Sequence, residues 1–578
     1  MIKYYTTEKN TQMLISLLKA HQIKKVIVSP GMKNMCFVGS IQQDDYFEIY
    51  SCVDERSAAY MACGMAVESQ EPVVLSCTGA TASRNYIPAL TEAFYRKIPV
   101  LAVTSMSHTG EVGQLIPQII DRSVLPKDIA KLSVQIPMIN CAEDEWSNNV
   151  LLNQALLELR HRGCGPVHIN LITSCNIDFS VKELPHARVI KRIMPTDPRP
   201  TLKRGRTAVY VGSHNVWSPE LTASVERFCE IYDAVVLCDH TSNYTGKYSV
   251  YPSLVCAQKQ YASPCRAINT LIHIGEVSGA SMPVNPKKVW RVNPDGAIRD
   301  TFKKLEYVFE MDEEIFFKNY NEGLTEEYTA SYYTEWQKES TAIRAKMPVV
   351  PFSNVWIASQ SIDRVPSGSI LYLGILNTLR CWNYFEARKD LIGYANTGGF
   401  GIDGTMSTLL GASLCNPQRL YYAFLGDLAF FYDMNALGNR SLPPNLRIML
   451  INNGRGTEFR NYGHKSARFG DDADPFMAAA GHYGHQSRDL VRHYVSDLGF
   501  EYFCASNEDE YSEHAPRFFI PEVTHAPMLF EVFTDSIDES DAIKLMRNIE
   551  TTVIGKTANT LKGILGDKAL QKIAEMKG

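Results

Sequence analysis

The sequence lacks the features that mark several large classes of protein. No apolar run approaches the ~20 residues that a membrane-spanning helix needs, and residues 1–10 lack the successive zones of a secretory signal. The 14 cysteines include no C-x-x-C pair, which excludes the common zinc-finger and thioredoxin motifs and favours reduced, buried thiols. No basic block stands out, so neither a nucleic-acid surface nor a membrane surface is expected. These absences predict a soluble cytoplasmic protein.

What is present is a long chain of globular composition with a small negative charge. Its 578 residues are 45% hydrophobic and 21% charged, and 58 basic against 63 acidic residues give a net charge of −5. At ~150 residues per domain, this length favours three or four domains. Proline-rich stretches at 195–200 and 347–351 are typical of linkers, because proline disfavours helix in the residue before it. The predicted segments are 1–190, 201–345, 352–560 and a C-terminal helix or tail at 561–578.

Short apolar runs alternate with longer amphipathic stretches in each of the three large segments. These runs lie at 26–31, 72–77, 99–104, 166–171, 208–213, 234–239, 271–276, 289–294, 370–375, 420–427, 446–453 and 527–533. Near-continuous apolar strands separated by helix-length segments indicate parallel sheets that are covered on both faces. The predicted fold class is α/β, with three doubly wound parallel-sheet domains. Ligands of such sheets bind at the carboxyl ends of strands, so the residues that follow these runs are the site candidates.

Polar residues follow two successive runs of the third segment. Asp427 ends one run and Asn453 ends the next, and the residues between them suffice for one crossover helix. Carboxylate and amide oxygens suit Mg²⁺, which takes few protein ligands and leaves positions for phosphate oxygens. The pattern therefore predicts a magnesium site that binds a phosphate-bearing ligand. The alternative is an ordinary strand end followed by an Asn-Gly turn.

A competing pattern lies upstream. Residues 399–404 match G-x-G-x-x-G, follow a possible strand and precede a helical stretch, and Asp427 then falls near the position of a ribose-binding acid. A nicotinamide-dependent dehydrogenase is therefore an alternative, although it leaves the asparagine pair unexplained. A third pattern, His482-x-x-His485 with His493, could bind a metal, but it lacks a catalytic glutamate and a defined third ligand. We favour solvated helix and loop positions for these histidines.

The first segment contains an acidic motif between a strand and a helix. Asp54-Glu55-Arg56-Ser57 follows a strand-like run and opens an apolar stretch. The ordinary interpretation is a helix cap, in which the Asp54 or Ser57 side chain accepts hydrogen bonds from free backbone amides. Glu55 then lies in the first turn of the helix, where negative charge is favourable. The functional interpretation is a buried Glu55 that exchanges a proton with a bound heterocycle.

Taken together, the motifs resemble those of thiamine-diphosphate (ThDP) enzymes, and in particular the 2-succinyl-5-enolpyruvyl-6-hydroxy-3-cyclohexene-1-carboxylate (SEPHCHC) synthase family. Residues 54–58 match its D-E-R-S-A and residues 401–404 match its G-I-D-G, while residues 29–31, 77–85 and 433–435 are similar to further motifs. The resemblance spans nearly the whole chain and is weakest in the middle segment. It implies a pyrimidine-binding (PYR), a central and a diphosphate-binding (PP) domain, in that order.

The resemblance implies a role for each matching residue around the organic part of the cofactor. Glu55 would protonate the aminopyrimidine ring, and Gln118 would face the reacting carbon. Gly401 and Ile402 would belong to a cofactor loop rather than to a dinucleotide fingerprint, with the bulky Ile402 side chain keeping the cofactor bent.

The resemblance also implies how the diphosphate is held. Gly426, Asp427, Leu428, Asn453 and Arg455 would bind it, with the Asp427 and Asn453 side chains and the Arg455 backbone carbonyl as ligands of Mg²⁺. The implied cofactors are thus thiamine diphosphate and Mg²⁺. Because the two cofactor-binding domains of such enzymes come from different subunits, a homodimer or homotetramer with active sites between subunits is implied.

Several positions depart from the family pattern. Lys33 stands where the family has an arginine, and Ser107 and Thr397 replace two further arginines. Arginines recognise carboxylates with two parallel hydrogen bonds, so they report the substrate. Their loss indicates that one or both substrates have changed.

The retained arginine has a changed neighbour. Arg380 remains at a pocket position, where it could bind a distal carboxylate of the donor or pair with a nearby acid. Glu458-Phe459 replaces the Ile-Phe of the family. The candidate substrate residues are therefore Lys33, Arg380, Glu458 and Phe459.

The predicted function is ThDP- and Mg²⁺-dependent decarboxylation of a small 2-oxo acid, followed by transfer of the acyl carbanion to an acceptor. The nearest alternative is simple decarboxylation to an aldehyde. A non-catalytic protein that keeps the fold for binding is a second alternative, which the intact Glu55, Asp427 and Asn453 argue against.

Overall fold

The computed structural model describes residues 4–324, 330–481 and 487–550. They form two compact units, one made of the residues up to 198 together with 295–310, the other of residues 199–294 together with those after 310. The domain boundaries near 190, 201, 345 and 352 stay predictions, and the segment 561–578 lies outside the described residues. No helix in the described part is long and apolar enough to cross a membrane.

Three all-parallel sheets with interleaved helices confirm the predicted fold class. Every apolar run singled out in the sequence contributes a strand. Parallel neighbours require crossover connections, which the helices between the strands provide. The strands are β1 Lys25–Val28, β2 Glu48–Ser51, β3 Val73–Cys77, β4 Val100–Met106, β5 Leu132–Ile136, β6 Val167–Ile172, β7 Lys191–Ile193, β8 Thr207–Val211, β9 Ala234–Leu237, β10 Ser249–Val250, β11 Ala267–Ile274, β12 Asn285–Val292, β13 Leu305–Phe309, β14 Ile370–Leu373, β15 Ile392–Tyr394, β16 Tyr421–Gly426, β17 Leu446–Asn452, β18 Glu501–Ala505 and β19 Met528–Phe533.

The first unit is built on a six-stranded sheet with the order β2-β1-β3-β4-β6-β5. Alternate residues of one strand enter two different cores: Val74 packs on one face of the sheet, whereas Val73 and Leu75 pack on the other. A strand buried on both faces must be apolar throughout, which is why these runs are continuous rather than alternating. The helices of this unit are α1 Lys9–Ala20, α2 Met35–Ile41, α3 Glu55–Ser69, α4 Thr81–Asn85, α5 Ile87–Tyr95 and α6 Ala142–Glu158. The unit also contains the parallel pair β7 and β13.

The second unit contains strands of two sheets. One set has the order β10-β9-β8-β11-β12, and the six-stranded sheet has the order β15-β14-β16-β17-β19-β18. The helices are α7 Pro219–Tyr232, α8 Ser253–Cys256, α9 Glu313–Asn321, α10 Ser331–Arg344, α11 Asn354–Ser361, α12 Asn377–Trp382, α13 Thr405–Cys415, α14 Asp427–Asp433, α15 Leu490–Asp497, α16 Glu508–Phe518 and α17 Ser536–Met546. Strands β16 and β17 are direct neighbours, with Gly426 opposite Ile451. Their carboxyl ends therefore meet at one edge of the sheet.

A buried histidine makes the stability of the first unit sensitive to acid. His168 on β6 is buried, with its two ring nitrogens 2.7 Å from Thr104 Oγ1 and 2.8 Å from Ser133 Oγ. Burial lowers the pKa of His168 to about 3, and the charges of Arg122 and Arg84 add to this effect. The neutral ring is therefore the form that the fold accommodates.

We expect the free energy of unfolding of this unit to fall as pH drops below 6.5. Between the folded and unfolded pKa values of His168, only the unfolded chain binds the proton, so stability is lost toward acid, by about 2 kcal/mol at pH 5. Urea unfolding at pH 7, 6 and 5 measures this loss. His168→Gln should remove that part of the loss, and the exposed His493→Gln should not. Equal acid sensitivity of the His168→Gln variant and the parent would contradict the assignment.

Candidate active site

The strongest polar feature at the β16–β17 edge is a buried acid. Asp427 is the first residue of α14 and is 4% exposed. Burial raises its pKa to about 7, while backbone amides of Leu428, Gly454 and Arg455 act in the opposite direction. The Leu428 amide donates to Asp427 Oδ1 at 2.9 Å. A carboxylate in this position is desolvated and is surrounded by donors at the start of a helix, where negative charge is favoured.

The two asparagines that end β17 have different roles. Asn452 Nδ2 donates to Glu531 Oε1 at 2.7 Å, which ties this residue into the sheet. Asn453 Oδ1 is buried and has no hydrogen-bond partner in the described part of the chain. A buried carboxylate and an unpaired buried amide oxygen are the type of donor set that a hard divalent cation satisfies. The donor chemistry therefore fits the predicted magnesium ligands.

A second buried acid, which the sequence did not mark, lies beside this pair. Glu539 of α17 is fully buried, and its Oε1 accepts from the Asn354 amide at 3.0 Å and from Thr534 Oγ1 at 2.8 Å. The pKa of Glu539 is raised to about 7, chiefly by burial. The Asp427 charge adds to this rise, and the hydrogen bond with the Asn453 side chain opposes it. Nothing in the local sequence of an amphipathic helix distinguishes such a residue from a solvated acid.

The predicted cofactor loop lies between β15 and α13. Residues 395–404 separate the two elements, which is longer than the tight turn of a dinucleotide fingerprint. Ile402 is half-buried and packs against the core on one face of the sheet. A Cβ on Gly401 would lie 2.3 Å from Asp403 Oδ1, so a side chain there would require the exposed Asp403 carboxylate to move. The start of α13 is joined to the end of α14, since the Ser407 amide donates to Asp433 Oδ2 at 2.6 Å.

The candidate substrate residues of the second unit form an ion pair. Arg380 contacts Glu458 through two parallel contacts, Nη1 to Oε2 at 2.5 Å and Nη2 to Oε1 at 2.9 Å. Burial would raise the pKa of Glu458, but the Arg380 guanidinium holds it below its usual range. Of the two roles open to Arg380, the structure shows pairing with a neighbouring acid. Phe459 is half-buried, with its ring edge-on to His464 at 5.3 Å. The Arg455 side chain contacts Asp474 at 2.7 Å.

The candidate residues of the first unit lie at strand ends. Asp54 caps α3 by accepting from the Ser57 amide at 3.0 Å, as the ordinary interpretation predicts. Glu55, the first residue of α3, is only half-buried in the isolated chain, and its Oε2 is 3.4 Å from Asn85 Nδ2. Lys33 donates to the Ser107 hydroxyl, so two positions that depart from the family pattern are in direct contact.

The remaining candidates from the sequence are Gln118 and the histidine motif. Gln118 lies in the loop after β4 with an exposed side chain and a left-handed backbone, φ +66°. His482 and His485 lie outside the described residues, and His493 is exposed on α15. Within residues 4–324, 330–481 and 487–550, no three His, Cys, Asp or Glu side chains cluster as metal ligands.

Comparisons with known proteins point to the same chemistry. The family model for the thiamine pyrophosphate enzyme N-terminal TPP binding domain matches residues 9–125. This range contains Glu55, Gln118 and the contact between Lys33 and Ser107.

Similarity to named relatives extends over nearly the whole chain. The SEPHCHC synthase of Phocaeicola vulgatus is 30% identical over 565 residues, which cover 93% of this chain and 98% of that protein. The SEPHCHC synthase of Bacteroides thetaiotaomicron is 29% identical with the same coverage. That of Desulfotalea psychrophila is 28% identical over 89% of this chain and 96% of its own length.

Proposed function

Because this chain belongs to the family of thiamine-diphosphate-dependent enzymes that includes the SEPHCHC synthases, we propose that it decarboxylates a 2-oxo acid and transfers the acyl carbanion to an acceptor. The observation that carries the proposal is the pair formed by the buried Asp427 carboxylate and the unpaired Asn453 Oδ1 at one sheet edge. When bound, thiamine diphosphate supplies the electron sink that lets CO₂ leave.

The residues of the chain would bind and activate this cofactor. Asp427, Asn453 and the Arg455 carbonyl would hold Mg²⁺ on the diphosphate, and the adjoining Gly426 and Leu428 would line it. Gly401 and Ile402 would contact its rings. Glu55 would share a proton with the pyrimidine nitrogen, and Gln118 would face the substrate. Each role is the one that the resemblance to the family implies for the residue at that position.

We infer that the active form is a homodimer or homotetramer with active sites between subunits. Glu55 is half-buried, and its own helix and the residues before it expose apolar side chains: Val53 is 77%, Tyr60 47% and Met61 43% exposed. Apolar side chains grouped around a functional acid are typical of a surface that a partner covers. A second copy of the chain would desolvate Glu55, as proton exchange with a heterocycle requires.

The substrates would differ from the 2-oxoglutarate and isochorismate that the resemblance to the SEPHCHC synthases implies. The positive charge of Arg380 is already neutralised by Glu458, and a lysine–serine contact stands where two arginines are found in the family. Fewer free guanidinium groups leave fewer charge-assisted bonds for carboxylates. We therefore propose a donor and acceptor that together carry fewer carboxylates than 2-oxoglutarate and isochorismate.

Release of the Arg380 charge should change the donor preference. Glu458→Gln keeps the shape of the pair but removes its negative charge, so we expect kcat/KM for 2-oxoglutarate relative to pyruvate to rise about tenfold. Glu501→Gln is the matched control, because Glu501 forms an equivalent two-contact pair with Arg517 in the same unit. An unchanged donor ratio in Glu458→Gln would contradict a substrate role for Arg380.

CO₂ release by the protein with ThDP and Mg²⁺, measured across pyruvate, 2-oxoglutarate and phosphonopyruvate, tests the function. We expect CO₂ to be released from one of these acids, and the carboligation product to form only when an acceptor is present. Aldehyde formation without an acceptor would identify a simple decarboxylase. ThDP binding without CO₂ release from any acid would favour a binding protein. Efficient formation of SEPHCHC would refute the change of substrates.

A further inference from the structure

The second unit contains a cavity of about 310 Å³ beside the predicted cofactor loop. Phe400, which directly precedes Gly401, forms part of its wall, together with Leu376, Arg380 and the 279–283 loop after β11. A volume near 300 Å³ is at the lower end of small-molecule sites. The wall thus includes a candidate substrate residue, Arg380, and a residue of the cofactor loop, Phe400. If the proposed function holds, this cavity is the substrate pocket.

Two cations without an acidic partner converge on this cavity. Lys259 and Arg547 both line it. Both also approach Gly463: a Cβ on this glycine would lie 3.6 Å from Lys259 Nζ and 3.5 Å from Arg547 Nη1. Both charged groups therefore lie beside Gly463. Neither cation forms an ion pair with an acid in the described part of the chain.

The chain itself fixes one of these cations and leaves its outer nitrogens available. Arg547 Nε donates to the Tyr384 hydroxyl at 3.2 Å, and the Arg547 carbonyl accepts from the Lys259 amide at 2.9 Å. These contacts join the end of α17 to the segment after α8 and hold the two charges near each other. The guanidinium is therefore oriented, and among the described residues its Nη groups have no hydrogen-bond partner that would compete with a ligand.

The acidic groups of the neighbourhood compensate this pair only in part. Burial lowers the pKa of Lys259, and the charges of Arg547 and Lys544 lower it further. The Arg547 charge also acts on Glu458, but this acid is bound to Arg380 by two contacts. Like charges held together without a counter-charge are unfavourable unless an anion binds between them.

We propose that Lys259 and Arg547 form an anion subsite that binds a carboxylate or phosphate which a substrate retains in the product. The reacting carboxylate is not its ligand, because fixed cations around that group would stabilise the ground state and oppose loss of CO₂. The neutral part of the substrate contacts Phe400, Leu376 and the Arg380–Glu458 pair. Its chemical class is a small molecule that carries one anionic group besides any carboxylate lost as CO₂, and an otherwise uncharged body. This inference rests on the proposed function, because only that function makes the bound anion part of a substrate.

Titration of the protein saturated with ThDP and Mg²⁺ with inorganic phosphate, followed by ³¹P NMR, tests the subsite. We expect Lys259→Met and Arg547→Met each to weaken phosphate binding about tenfold, and Arg547→Lys to weaken it less. Lys338→Met is the matched control: it removes the same charge from an exposed residue of α10 that does not line the cavity. Competition by acetate distinguishes the two ligands, since strong displacement indicates a carboxylate site and weak displacement a phosphate site.

Equal phosphate affinity in the parent and in the Lys259→Met/Arg547→Met double variant would overturn the subsite. ThDP affinity, measured separately, should be the same in all these variants. Loss of ThDP binding in the parent itself would refute the proposed function, but the comparison between parent and double variant would still decide the subsite. Thermal unfolding of each variant confirms that the fold is intact, and Arg547→Lys keeps the test valid if Arg547→Met destabilises the chain.

Discussion

Glu55→Gln is expected to abolish ThDP-dependent CO₂ release while the cofactor remains bound. Glutamine matches the size of glutamate and can still donate or accept a hydrogen bond, but it cannot exchange a proton with the pyrimidine ring. Loss of a positioned proton donor reduces turnover by about 10²–10⁴-fold. The measurement is a steady-state assay of CO₂ release together with a ThDP binding titration on the same preparations.

The structure offers a matched control for this variant. Glu68→Gln makes the same substitution on the same helix, α3, at an exposed position near its other end. It should leave both turnover and ThDP affinity unchanged. A Glu55→Gln variant that turns over at the parental rate would contradict the assigned role. One that no longer binds ThDP would show that Glu55 contributes to affinity rather than to proton exchange alone.

Most of the fold could be predicted because its central strands are buried on both faces. The runs that became β4 and β17 are buried at every position, and such runs stand out in any sequence. The strands not predicted include β5 and β18, which lie at sheet edges and have exposed positions. Their sequences, LSVQI and EYFCA, are short and partly polar, so tertiary pairing rather than local pattern determines them.

The site was predictable where it depends on strand ends and unpredictable where it depends on contacts between distant residues. Asp427 and Asn453 follow adjacent strands, so the sheet topology alone brings them to one edge. The pairing of Arg380 with Glu458 joins residues 78 positions apart, and only the folded chain shows it. Lys259 and Arg547 lie in segments with no motif at all. Cations of this kind are inconspicuous in a sequence because most are solvated.

Asp427→Asn is expected to remove the response of the protein to ThDP and Mg²⁺. The variant loses the negative charge that faces the proposed metal, and loss of a metal ligand should weaken cofactor binding at least about 100-fold. The metal-free variant should be about as stable as the metal-free parent, within about 1 kcal/mol. The reason is that an uncompensated carboxylate at this depth is itself unfavourable, as its raised pKa shows.

Asp433→Asn, at the other end of the same helix, should have the opposite effect: it should reduce stability and leave the response to the cofactor intact. Asp433 is also buried, but it accepts hydrogen bonds from the amide and hydroxyl of Ser407 and so joins α14 to α13. Its substitution should lower Tm with and without cofactor while leaving the cofactor-induced rise intact. Thermal unfolding of both variants, with and without ThDP and Mg²⁺, measures the two effects together. If Asp427→Asn retained the full rise in Tm, the metal would be held elsewhere and the β16–β17 edge would be an ordinary strand end.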